Sequence, residues 1–264
     1  LSSAWNIPVR DWASSELVAI PPETSLADAQ SLFESRGISA LPIVEHGALV
    51  GIISTTDLLR VARIEMESPR ALARVWPPPH AVKDVMRSPV FTIDRGATLR
   101  AAAEALVAHR VHRLVVTSAG APVGVLSTRD IARAILEKRV DAPLERVITT
   151  DVISVQVGDS IDVAVGRLAD GNVHGLVVLD GAWPVGVFTH TEAIKARSLP
   201  SGLRAMPVEQ IMSYETICMN VKTPLYRVAG HAMQMNVRRI LAVDDRKLVG
   251  IMTGFDLARF VTMD

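Results

Sequence analysis

Cysteine is almost missing from this chain. Its 264 residues hold one, Cys218, so no disulfide can form within the chain and a reducing compartment is expected. Charge of one sign is missing as well, because 28 Lys+Arg are matched by 28 Asp+Glu. No bulk field draws the chain to nucleic acid or an anionic membrane, which argues against nucleic acid as a partner and leaves room only for local basic pockets. No apolar run approaches the ~18–20 residues of a membrane span. The opening "LSSAWNIPVRDW" lacks the charged-then-apolar pattern of a signal peptide. A cytoplasmic protein with no membrane partner is the expectation. No P-loop, dinucleotide fingerprint, nucleophile elbow or His-Glu-x-x-His run is present, nor any nucleophile–base pair. His109 and His112 do not stand at metal-ligand spacing with a Cys or an acid pair. Neither catalysis nor a bound metal is expected.

What is there is repetition. Hydrophobic residues make up 49% of the chain, ample for a packed core, and they recur in four similar stretches. "VRDWASSELVAI" from Val9, "VKDVMRSPVFTI" from Val82, "LERVITTDVISV" from Leu144 and "VEQIMSYETICM" from Val208 each open a unit. Each is followed, 42 residues after its first residue, by a glycine: Gly51, Gly124, Gly186 and Gly250. These glycines begin "GIISTTD", "GVLSTRD", "GVFTHTE" and "GIMTGFD". Length change is therefore confined to the linkers, of which the one containing Pro77–Pro79 is the longest.

Within each unit a short β-rich run comes first ("LVAI", "VFTI", "VISV", "TICM"). A helix signal follows at Thr24/Ser25, Thr98, Ser160, or Thr223 with Pro224 at the first helical position. Leu99, Ala102, Ala103 and Leu106, like Ile161, Ala164, Val165 and Leu168, then fall on one helical face. Two apolar runs joined by a polar or Gly-containing turn make a hairpin that ends at the motif glycine. A second amphipathic helix closes the unit. The predicted unit is β-α-β-β-α, an α/β (α+β) class. A unit this small leaves a sheet face uncovered, so units should pair. Two pairs are expected, 1–139 (repeats about 9–64 and 82–138) and 140–264 (repeats about 144–197 and 208–262).

"VKDVM", the turn in "PPETSL", "RVHRLVV" and "GVLSTRD", in that order and four times over, resemble the cystathionine-β-synthase (CBS) domain family. The resemblance covers roughly Val9 to Phe260. It implies two Bateman modules of two repeats each, packed as a flat disk, as in the gamma subunit of AMP-activated protein kinase. It also implies a non-catalytic regulatory protein that binds AMP, ADP or ATP between repeats and acts on an unknown protein partner. A homodimer is compatible with it. A ligand-free scaffold for protein–protein contact, or a site for S-adenosylmethionine or NAD, is the alternative.

The hydroxyl–x–x–acid pattern has two readings. It is a capping box, in which the hydroxyl takes an orphan helix N–H and the acid reaches back. It is also suited to a nucleotide. A helix N-terminus favours phosphate, and a carboxylate three residues on has two acceptors for the cis hydroxyls of a ribose. The resemblance assigns the ribose to Asp57, Asp130 and Asp256, and the phosphates to the neighbourhood of Ser54, Ser127 and Thr253. In the third unit Thr189 is followed by Glu192, whose extra methylene should misplace a ribose clamp, so that site is expected to be weak. Capping cannot explain a second feature. Just before the second strand the gapless positions read Ser39-Ala40, His112-Arg113, His174-Gly175 and Arg238-Arg239. In kinase gamma subunits His-Arg here binds phosphate, which points to His112, Arg113, His174, Arg238 and Arg239.

Overall fold

The computed structural model describes every residue except 1–3, 15, 69, 71–72 and 172. Ser15 of the first unit start, and Pro69, Ala71 and Leu72 of the long linker, thus lie outside the described residues. The chain is a mixed α/β protein of four repeats. The first holds α1 (Leu26–Arg36), β1 (Ala40–Glu45), β2 (Ala48–Ser54) and α2 (Thr55–Val61). The linker carries a short two-stranded sheet of β3 (Arg63–Glu65) and β4 (Arg74–Trp76). The second repeat is β5 (Thr92–Asp94), α3 (Leu99–Ala108), β6 (Arg113–Ser118), β7 (Ala121–Ser127) and α4 (Thr128–Glu137). The third is β8 (Ser154–Gln156), α5 (Ile161–Asp170), β9 (Gly175–Asp180), β10 (Trp183–Thr189) and α6 (His190–Arg197). The fourth is β11 (Ile217–Asn220), α7 (Leu225–Gln234), β12 (Arg239–Asp244), β13 (Lys247–Thr253) and α8 (Gly254–Met263).

In repeats two to four the first strand pairs parallel with the second, which forms an antiparallel hairpin with the third. The first repeat departs from the expected unit. Of "LVAI" only Ile20 bridges to Ile43, so its sheet has two strands. The cause is Pro22. At the same place in the other repeats the amides of Arg95, Val157 and Val221 donate to Thr117, Leu179 and Val243, and proline has no N–H to give. The helix starts agree with the expected caps at Ser25, Thr98 and Ser160, each accepting an N–H three residues on. At α7 Pro224 is itself the N-cap, with no side-chain bond, and the helix begins one residue later than expected.

The chain forms two compact units. One comprises Leu1–Arg63, Trp76–Ala134 and Leu257–Asp264, the other Ile64–Val75 and Ile135–Asp256. In the first unit the lead-in of each repeat satisfies helix-start donors of its neighbour, the groups a helix cannot satisfy itself. Leu26 N–H donates to His80 O (3.1 Å) and Leu99 N–H to Ile7 O (2.8 Å). In return Val82 N–H reaches Thr24 O and Val9 N–H reaches Ala97 O, both at 2.8 Å. The second unit repeats the exchange: Ile161 to Met206, Leu225 to Ala142, Leu144 to Thr223 and Val208 to Asp159. The first residue of each lead-in (Val9, Val82, Leu144 and Val208) is wholly buried. Within the second unit Val177 and Val187 of one sheet pack with Leu241 of the other. A repeat thus leans on its neighbour for apolar cover and for hydrogen bonds alike.

Candidate functional site

The four motifs lie where a hairpin's last strand turns into a helix. Each motif glycine pairs across its hairpin beside a β-bulge: Gly51 with Ile43, Gly124 with Val116, Gly186 with Val178, Gly250 with Ala242. The glycines are needed because the neighbouring repeat's lead-in crosses there. A Cβ on Gly124 would lie 2.3 Å from Ser14 O, and one on Gly250 would lie 2.9 Å from Thr149 O. Both are closer than carbon and oxygen can approach.

After the glycine, all four acids close a capping box. The backbone N–H groups of Ser54, Ser127, Thr189 and Thr253 donate to Asp57, Asp130, Glu192 and Asp256 at 3.1, 2.8, 3.0 and 2.8 Å. Each hydroxyl donates to that same carboxylate oxygen. Glu192 therefore caps as well as the aspartates do. In every repeat the hydroxyl proton and one carboxylate oxygen are committed to the cap.

The other carboxylate oxygen has different company in different repeats. Asp57 Oδ1 accepts Arg87 Nε–H at 2.7 Å and lies 3.8 Å from Arg60 of its own helix. Asp256 Oδ1 accepts the Thr149 hydroxyl at 3.2 Å. Asp130 Oδ1 accepts from Arg133 Nη2, one turn on, at 3.3 Å, and Arg133 also donates to Trp12 O and lies over the Trp12 ring. Burial raises the Asp130 carboxyl above the ordinary carboxylate range, against the Ser127 bonds and the Arg133 charge that favour ionisation. Asp57, Glu192 and Asp256 are more buried still, at 6%, 5% and 5% exposure.

Arg87 and Thr149 escaped the reading of the sequence. They stand five residues into their lead-ins, the column that reads Ser14, Arg87, Thr149 and Ser213. Each lies opposite the neighbouring repeat's last strand: Arg87 bridges Ile52, Thr149 bridges Ile251 and Ser213 bridges Val187, while Ser14 N–H donates to Val125 O. Aligning the four starts displays the column, but nothing in one repeat says what it faces.

The strand-start residues also converge within each unit. Arg113 donates to the Ser39 hydroxyl, so positions 39 and 113 meet. In the second unit Arg239 Nε lies 3.7 Å from where a Gly175 Cβ would be. Burial lowers the Arg239 guanidinium's pKa, and Glu192 opposes that shift. The rings of His174 and His190 lie 6.1 Å apart, while His112, His174 and Arg238 are exposed. Among the described residues no group of three His, Cys, Asp or Glu could hold a metal, and no helix is long and apolar enough to cross a membrane.

A family model of the CBS domain matches residues 9–63, 82–137, 144–199 and 208–262. The chain is 24% identical over 275 residues to the uncharacterized protein MJ1404 of Methanocaldococcus jannaschii, covering 97% of this chain and 62% of that one. It spans less than two thirds of that relative's length. It is also 24% identical over 271 residues to MJ1225 of the same organism, covering 93% and 95%. The crystal structure of MJ1225, proposed as an archaeal homolog of g-AMPK, superposes with a TM-score of 0.74 over 96% of this chain and 99% of that one, at 19% identity. An uncharacterized conserved protein of Pyrococcus horikoshii gives 0.69 over 97% and 100%, at 22% identity. These structures share its fold.

Proposed function

This chain belongs to the CBS domain family, and from that premise we propose that it is a non-catalytic regulatory protein that binds adenine nucleotides, AMP, ADP or ATP, in the clefts between the paired repeats of each unit. Asp57, Asp130 and Asp256 take the ribose diol. The motif residues Ser54, Ser127 and Thr253, with His112, Arg113, His174, Arg238 and Arg239 at the strand starts, take the phosphates. Thr189 and Glu192 form a weaker site. The observation that carries this reading is the division of labour within each buried carboxylate. One oxygen is committed to the cap; the other faces the neighbouring repeat's lead-in at Asp57 and Asp256 and Arg133 of its own helix at Asp130, and it is the oxygen to which a sugar hydroxyl can donate.

A charge-assisted hydrogen bond of this kind contributes about 1.5–3 kcal/mol when shielded from water. Regulation requires the nucleotide to prefer one arrangement of the protein and its partner over another. A thermal-shift panel with AMP, ADP, ATP, S-adenosylmethionine and NAD tests the reading. At roughly 0.1–1 mM an adenine mononucleotide should raise the melting temperature, by an amount that grows with the logarithm of its concentration. A response to S-adenosylmethionine alone would reassign the ligand. Silence throughout would favour a scaffold whose acids serve only as caps.

A further inference from the structure

We propose that Arg87 is a specificity-determining residue, which makes the Asp57 cleft bind an adenine nucleotide more weakly than the Asp130 and Asp256 clefts. The proposal rests on the nucleotide reading above and refines it.

The four clefts share one backbone plan. In each, the lead-in of one repeat lies beside the last strand of its neighbour, and the same column of that lead-in stands opposite that strand; in the first and fourth clefts its side chain reaches the capping acid. Arg87 fills that column in the first cleft and reaches across it. Its Nε–H lies 2.7 Å from Asp57 Oδ1, the oxygen the cap leaves over. The pair is well placed to persist. The Asp57 side chain is 7% exposed, and the Arg87 backbone is pinned to Ile52 by two hydrogen bonds of 2.9 and 3.1 Å. In the fourth cleft the same column holds Thr149, a neutral hydroxyl 3.2 Å from Asp256 Oδ1. In the second it holds Ser14, whose hydroxyl is bonded to the backbone of Val125.

The same-helix arginine does not make the difference. Arg60 and Arg133 stand three residues after Asp57 and Asp130 alike, 3.8 and 3.3 Å away. Of the four positions in the lead-in column, only that of the first cleft holds an arginine. A sugar diol bound there must displace a charge-assisted bond to a buried carboxylate, whereas beside Asp256 it displaces a bond from a neutral hydroxyl. That difference corresponds to roughly a 10-fold weaker site.

Arg87→Thr copies the occupant of the same column in the fourth cleft, where a buried aspartate is accommodated, so the fold should survive it. Calorimetric titration with AMP is expected to show one more tight site in Arg87→Thr than in the wild type. That added site should vanish in Arg87→Thr/Asp57→Ala. Arg87→Lys, which keeps a cation facing Asp57, should retain the wild-type stoichiometry; a purely structural role for Arg87 predicts no added site in Arg87→Thr. Unchanged stoichiometry and affinity in Arg87→Thr would overturn the proposal while leaving nucleotide binding intact. So would weaker binding in Arg87→Thr, which would mean that Arg87 itself holds the ligand. Absence of heat in both proteins would overturn the proposal and the nucleotide reading together.

Discussion

Glu192 in the third repeat and Asp256 in the fourth close the same capping box in the same way. Each accepts the N–H and the O–H of the hydroxyl residue three positions earlier, and each is about 5% exposed. They differ in one methylene and in what stands across the cleft, where Thr149 meets Asp256 and the Ser213 hydroxyl accepts Glu215 N–H instead. The cap therefore does not discriminate between the two acids. What the cap leaves to distinguish the two clefts is the second carboxylate oxygen and its surroundings.

The largest effect should come from the feature all four repeats share. Gly124→Ala drives a Cβ to 2.3 Å from Ser14 O, a backbone atom. Urea unfolding should show a loss of about 3 kcal/mol, in the upper range for overpacking. Gly158→Ala, with nothing within 4 Å of its Cβ, should stay within about 0.5 kcal/mol of the wild type. A small cost at Gly124 would break the claim that the glycines exist to let the neighbouring lead-in pass.

Next in size is the contrast between the two acids. Asp256→Ala should weaken one adenylate site by about 2 kcal/mol, roughly 30-fold, in a calorimetric titration. Glu192→Ala should leave the tight sites of the nucleotide isotherm alone and lower stability by about 0.5–2 kcal/mol through its cap. Equal effects of the two on binding would erase the distinction drawn between the repeats. A smaller change is expected at the hairpin turns. Arg246 sits at φ 62°, where the second repeat's turn has Gly120, so Arg246→Gly should stabilise the chain by about 0.5–1 kcal/mol in the same urea assay.

The smallest effect concerns pH. Burial raises the folded-state pKa of Asp130, so as pH falls the folded protein takes up that proton before the unfolded chain does. The contribution of this group is thus present in acid and lost as pH rises through the raised value. The stability of the wild type relative to Asp130→Asn should improve as pH drops through that window. Affinity at the same cleft should fade there, because a protonated acid accepts less well. Parallel pH profiles of the two proteins would contradict the assignment.

Most of the fold could be read from the sequence because it is written four times over. Gapless spacing from Val9 to Gly51 and from each later start to its glycine fixed the unit, and the spacing of Leu99, Ala102, Ala103 and Leu106 fixed the buried face of α3. What failed to show was chemistry that depends on a neighbour. Pro22 silences a strand because the missing N–H was owed to another segment. The motif glycines make room for the adjoining repeat, whose atoms lie nearest to them, and nothing within one repeat shows that neighbour. Arg87 looks like any surface arginine until the pairing of repeats carries it to Asp57. Capping boxes are local and periodic, so sequence displays them. Contacts across a cleft join residues 30 or 107 positions apart, and no local pattern announces them.

The central claim is that these acids hold a ligand as well as a helix end. Titrating AMP into the wild type and into the Asp130→Ala/Asp256→Ala double variant tests it most directly. The account predicts saturable heat in the wild type and loss of the tight sites in the double variant, with both proteins still unfolding cooperatively. Identical isotherms for the two, or a wild type that takes up no AMP, would contradict it.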